Sequence, residues 1–186
     1  LLLSAFVLWL LVTLGILQNS ISCIVLVLLL MGGVSAYLWS KDGERLLAAL
    51  RGRWRLLLIT ECIFFVGLAG FSLFRAYNPD IAGTEKPMEF AFINSILRSR
   101  TFPPQDPLLS GYAISYYYFG YVMTAILTKL SGLSSAITFN LMGSTLFALT
   151  LSGSFSLVYN MVQAHLDRQD NEPSGRAPSV SGDAVG

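Results

Sequence analysis

The sequence is short of charge. Asp, Glu, Lys and Arg make up 12% of its 186 residues, about half the share found in an ordinary soluble domain. Histidine is nearly absent, and the single His165 excludes a multi-histidine metal site within the chain. The two cysteines, Cys23 and Cys62, both lie inside apolar runs, where they read as small packing residues and not as a disulfide or metal pair. A formal net charge of +1, with no basic patch interleaved by aromatics, gives nucleic acid nothing to bind. No basic segment precedes the first apolar run, and the first residue is Leu1. That pattern is expected of the N-terminal part of a longer protein and not of an intact signal peptide.

What the chain has in quantity is apolar side chains: 54% of residues are hydrophobic and the mean hydropathy is +0.61. Several apolar runs approach the roughly 20 residues that cross a bilayer as a helix. The fold class is therefore all-α, a polytopic helical membrane protein with about five transmembrane helices. The spans fall at about 1–17, 21–39, 54–77, 112–130 and 136–162, forming one transmembrane domain over 1–163. Residues 164–186 lose apolar periodicity and collect Pro, Gly, Ser and Asp, the composition of a disordered tail.

Orientation follows from charge. The segment KDGERLLAALRGRWR, residues 41–55, holds five basic and two acidic residues, and basic loops stay cytoplasmic. The loop at 78–111 is then extracytoplasmic, in a multi-pass protein of the cell membrane. Glu61 is the one acid within a span; it reads either as an interfacial partner of Arg53 or Arg55 or as a functional intramembrane carboxylate.

The stretch Tyr77–Tyr121 concentrates chemistry. It holds four of the eleven acidic residues, five of the seven prolines and six of the eight tyrosines. Pro79 stops the third span. Thr84-Glu85-Lys86-Pro87 opens a short interfacial helix, placing Glu85 and Lys86 near an N-terminus that favours a carboxylate or a phosphate. Over 88–99 the apolar arc is Phe90, Phe92, Ile93, Ile96 and Leu97, with Glu89 within it and Asn94, Ser95, Arg98 and Ser99 opposite. Glu89 should turn inward and Arg98 outward. Three prolines in the five residues 103–107 hold Asp106 in a set position. Asp106 otherwise serves only to cap the next turn. Tyr116, Tyr117 and Tyr118 begin the fourth span; on a helix they spread over about 200° and so form an aromatic belt, with one or two hydroxyls facing the loop.

The words GTEKPMEFAFINSILRSRTFPPQDPLLSG and ISYYYFG, in that order, resemble the YYY-motif family of uncharacterised polytopic membrane proteins (Chlor_Arch_YYY). The likeness covers about 45 residues. It departs at Leu108, where the family has Trp after DP. Members are several times longer, so the resemblance implies missing C-terminal helices of the full-length protein, and a stretch inactive on its own. The segment after about Ala164 does not look like family sequence.

The layout is in turn similar to glycosyltransferases of GT-C type. That implies transfer of a sugar from a lipid-phosphate-linked donor at the extracytoplasmic face. Glu85 stands where such enzymes carry the catalytic acid and is the first candidate for the base, with Asp106 and Glu89 next; Lys86, Arg98, Tyr116, Tyr117 and Tyr118 are the candidates for substrate and phosphate. No DxD pair is present in the loop, so no metal is called for and no cofactor is implied. These residues were expected to converge, with Glu85, Lys86 and Asp106 in one cleft below the tyrosines. A transporter or lipid-handling protein, and a structural membrane subunit without catalysis, remain the alternatives. The expected partners are membrane lipid and the sugar donor, with no nucleic acid.

Overall fold

A computed structural model describes residues 1–171 and is helical, in the order α1 (Leu2–Thr13), α2 (Ile21–Gly52), α3 (Trp54–Tyr77), α4 (Lys86–Arg98), α5 (Phe119–Ser131) and α6 (Ser135–Asn171). Three of these, α2, α3 and α6, are long and apolar enough to cross a membrane. The helices α1 and α5, of 12 and 13 residues, rise only about 18 to 20 Å, short of a hydrocarbon core of about 30 Å.

Local chemistry explains each end that differs from expectation. The helix α1 stops at Thr13, before Leu17, because Gly15 adopts φ +73°. Its N–H and that of Ile16 bond to the carbonyls of Val12 and Leu11, at 3.1 and 2.9 Å. This crossed pair of bonds closes a helix end and needs a left-handed residue, the conformation glycine tolerates. The helix α2 continues through the basic segment to Gly52 because LLAALR is strongly helix-forming. It bends only at Arg53, whose φ of −120° is not helical.

The segment Tyr112–Ser115, expected as helix, instead pairs with the proline segment. Ile114 N–H bonds to the Pro104 carbonyl (2.9 Å) and Asp106 N–H to the Tyr112 carbonyl (2.8 Å). Those backbone groups are thus taken, and the helix begins only at Phe119. At the other end α6 runs past Ala164 to Asn171, so 164–171 is helical where disorder was expected. Side-chain bonds one turn apart, Gln163 to Asp167 and His165 with Gln169, support that last stretch. The rest of the expected tail lies outside the described residues.

The helices α3 and α6 form an antiparallel pair. Arg75 lies against Asn140, Phe71 stacks on Phe147 with ring centroids 4.7 Å apart, and Gly67 meets Ala148 and Leu151. A Cβ on Gly67 would sit 2.9 Å from Leu151 Cδ1 and 3.4 Å from Ala148 Cα. Gly67→Leu is therefore expected to force the pair apart and destabilise it by about 1–3 kcal/mol, read as a lower Tm in detergent. Gly70→Leu, where a Cβ meets nothing within 4 Å, should leave the Tm unchanged.

The helices α1, α2 and α5 bury a second apolar cluster around Leu8, Val12, Ile24, Val27, Val122 and Ile126. Packed on it, α4 and α5 run in the same direction. Glu89 near the start of α4 meets Tyr121 near the start of α5, and the far ends of both helices meet Asn19. This layer sits at the end of the bundle where α3 finishes and α6 begins. The basic turn between α2 and α3 lies at the opposite end, since α3 rises about 36 Å over its length.

Candidate functional site

Arg75 and Asn140 set where the motif loop leaves α3. The guanidinium of Arg75 donates to Asn140 Oδ1 (2.9 Å from Nε, and again from Nη2) and to the Asp80 carbonyl (3.3 Å). Asn140 Nδ2 in turn donates to the Pro79 carbonyl at 3.1 Å. The chain then passes Gly83 (φ +75°) and Thr84 (φ +53°). A β-branched residue in the left-handed region is strained, by about 1–2 kcal/mol. That strained residue immediately precedes Glu85.

Glu85 occupies the N-cap position of α4 and is exposed. Its carboxylate approaches the Tyr116 hydroxyl at 3.5 Å, the outer limit of a direct hydrogen bond. The charge on Glu85, before any other cause, holds the Tyr116 phenol above its ordinary pKa, which keeps it a neutral donor. One turn on, Glu89 is half-buried and accepts from Tyr121 Oη at 3.3 Å. The Phe92 ring lies 5.8 Å from that of Tyr116 and 6.0 Å from that of Tyr121, flooring the two carboxylate–phenol contacts with an apolar surface. Lys86 opens α4, half-buried, and Pro87 follows. Proline carries no N–H, so the free amides at this helix end are those of Lys86 and Met88.

Asp106 lies elsewhere. Its Oδ1 accepts from the N–H groups of Leu108 and Leu109, at 2.8 and 3.2 Å, the turn-capping role that was its simpler reading. It lines a groove of about 340 Å³ with Arg98, Arg100 and Ser95. Glu85 and Lys86 are not among the residues lining it. The expected convergence of Glu85, Lys86 and Asp106 therefore fails. Asp106 belongs to the far end of α4, because Ser95 donates to the neighbouring Gln105 carbonyl. Ten residues of helix separate Glu85 from Ser95, about 15 Å of rise.

The tyrosines also depart from the expected helical fan. Tyr116 turns to Glu85, Tyr117 is 86% exposed, and Tyr118 accepts from Trp9 Nε1 at 2.9 Å while its ring meets Phe102. Glu89 is turned inward and Arg98 outward, as the wheel predicts. The supposedly outer face is nevertheless occupied: Ser95 is buried, and Asn94 accepts from Ser135 of α6 at 2.8 Å. Glu61 is exposed on α3 and makes no ion pair with Arg53 or Arg55 among the described residues.

Asn19 is the residue that pattern reading missed. It is 5% exposed. Its side-chain amide donates to the Ile96 and Ser99 carbonyls at 2.7 and 2.9 Å, closing the C-terminus of α4. Its backbone N–H donates to the Arg100 carbonyl (2.9 Å), and its carbonyl accepts from Lys129 Nζ. The one signal in the sequence is the short polar break Gln18-Asn19-Ser20 between two apolar runs.

An all-helical architecture with three candidate spans and a polar layer over one end defines an integral membrane protein. Residues 3–182 match the model of a family described as "Uncharacterized membrane protein (DUF2298)", and the chain belongs to that family. The match continues to residue 182, so family sequence extends beyond Ala164, contrary to expectation. No curated protein and no solved structure matches the chain.

Proposed function

We propose that the chain forms the substrate-facing layer of a membrane glycosyltransferase of GT-C type, using a polyprenyl-phosphate-linked sugar at the extracytoplasmic face. The observation that carries this reading is Glu85. It is an exposed carboxylate beside Lys86 and Tyr116, at the bundle end opposite the basic turn. In the proposed step an acceptor hydroxyl oxygen bonds to the anomeric carbon and its proton passes to Glu85. The bond from that carbon to the lipid phosphate breaks, and the leaving phosphate is met by the Lys86 ammonium and the free N–H groups of Lys86 and Met88. Tyr116 orients the carboxylate through its neutral hydroxyl. Arg98 lies about 20 Å along the helix from Glu85, too far to meet the same phosphate.

A second reading places the base at Asp106 and the phosphate on Arg98 and Arg100, because these three line one groove. The native protein in sealed vesicles, given labelled polyprenyl-phosphate sugar on the loop side, should transfer label to an acceptor. Loss with Glu85→Gln supports the first reading and loss with Asp106→Asn the second; transfer undiminished in both variants would sink both.

The side of the membrane has its own test. With Cys23 and Cys62 replaced by serine, Tyr117→Cys should react with an impermeant thiol reagent in intact cells. Reaction only after permeabilisation would invert the orientation.

A further inference from the structure

At the other end of the bundle, the corner between α2 and α3 opens a groove of about 640 Å³ against α6, lined by Arg51, Arg53, Arg55, Tyr159, Asn160 and Gln163 among others. We propose that this groove binds the headgroup of a monoanionic phospholipid of the surrounding membrane. Three guanidinium groups line it together with one carboxylate, Asp167, which accepts from the Gln163 amide at 2.9 Å. Asp167 offsets one of the three positive charges and leaves the lining net positive, which attracts an anionic phosphate, and arginine meets phosphate with two parallel hydrogen bonds. Asn160 and Gln163 supply amides for headgroup hydroxyls.

Two further features assign a lipid and not a free anion. Trp54 and Tyr159 stand at the groove, 53% and 40% exposed, and such amphipathic rings collect at the membrane–water boundary. Arg55 lies over the Trp54 ring, 5.5 Å from its centroid, which places its charge at that level. Immediately beyond, toward the apolar lengths of α3 and α6, Leu57, Leu58, Leu157 and Val158 are all exposed. A headgroup seated in the groove thus has apolar surface along which its acyl chains continue. Two further basic residues, on α2, are engaged differently. Arg45 pairs with Asp42 at 4.0 Å, and Lys41 lies over the Tyr37 ring.

The native protein reconstituted into phosphatidylcholine nanodiscs with a minor share of phosphatidylglycerol provides the test. Lipid retained after extraction should be enriched in phosphatidylglycerol by at least about fivefold, the gain that a single basic residue near an anionic lipid supplies. The triple variant Arg51→Gln, Arg53→Gln, Arg55→Gln should retain lipid in the bulk ratio. Asn160→Trp should do the same by filling the groove while leaving every charge in place, which separates loss of the site from altered insertion. Lys41→Gln with Arg45→Gln should keep the enrichment. Equal enrichment in wild type and in Asn160→Trp would overturn the proposal. So would inorganic phosphate binding as tightly as phosphatidylglycerol, which would make the groove a free-anion site.

Discussion

Glu85→Gln is expected to reduce sugar transfer by about 2 to 4 decades, the range that a positioned general base supplies. The substitution keeps the size and shape of the side chain and removes its negative charge together with its ability to take a proton. Donor affinity should therefore persist, because Lys86 and the helix amides are untouched. In steady-state terms kcat falls and KM for the donor holds, the signature of an interaction made in the transition state alone. A second readout comes from Tyr116. With the charge at Glu85 gone, its phenol should titrate closer to its ordinary value, since that charge is the leading cause of its elevation. If transfer were undiminished while the phenol moved as expected, the Glu85 carboxylate would act on Tyr116 but be irrelevant to turnover.

Asn19→Ala should have the largest effect on the architecture. The two side-chain bonds to the Ile96 and Ser99 carbonyls disappear, leaving buried acceptors without partners at about 1–3 kcal/mol each. The last turn of α4 should then fray, seen as faster amide exchange over residues 96–100 and a lower Tm in detergent. Asn19→Asp is the sharper control: it has the same size, but a carboxylate cannot donate to a carbonyl, so it should be no better than alanine. Protection of 96–100 unchanged in Asn19→Ala would show that the α4 end is held by packing alone.

Much of this fold is legible from hydropathy. The start of α2, both ends of α3 and the SGLSS turn before α6 follow from where apolar runs stop. The α4 helix also follows, since Thr84-Glu85-Lys86-Pro87 carries a helix-start pattern that periodicity then extends. What hydropathy misses is decided by backbone hydrogen bonds between distant segments. Nothing local reveals that residues 112–115 will pair with Pro104 and Asp106 and so postpone α5. Nothing next to Gly15 in its apolar run marks the positive φ that ends α1. The site was legible as an inventory and not as a geometry. Glu85, Glu89 and Tyr116 do come together, whereas Asp106 and Arg98 share a different groove. The spacing of prolines tells that Asp106 is fixed but not against what.

Asn19 also dictates an order of events during biosynthesis. Its partners at Ile96, Ser99 and Lys129 lie 77, 80 and 110 residues downstream. At about 5–20 residues per second, the ribosome needs roughly 5 to 20 s to deliver the last of them. Until residues 96 and 99 are made, the turn between α1 and α2 holds a side-chain amide whose protein partners do not yet exist. The contacts that fix the turn between α1 and α2 thus form late, first with the end of α4 and then with Lys129.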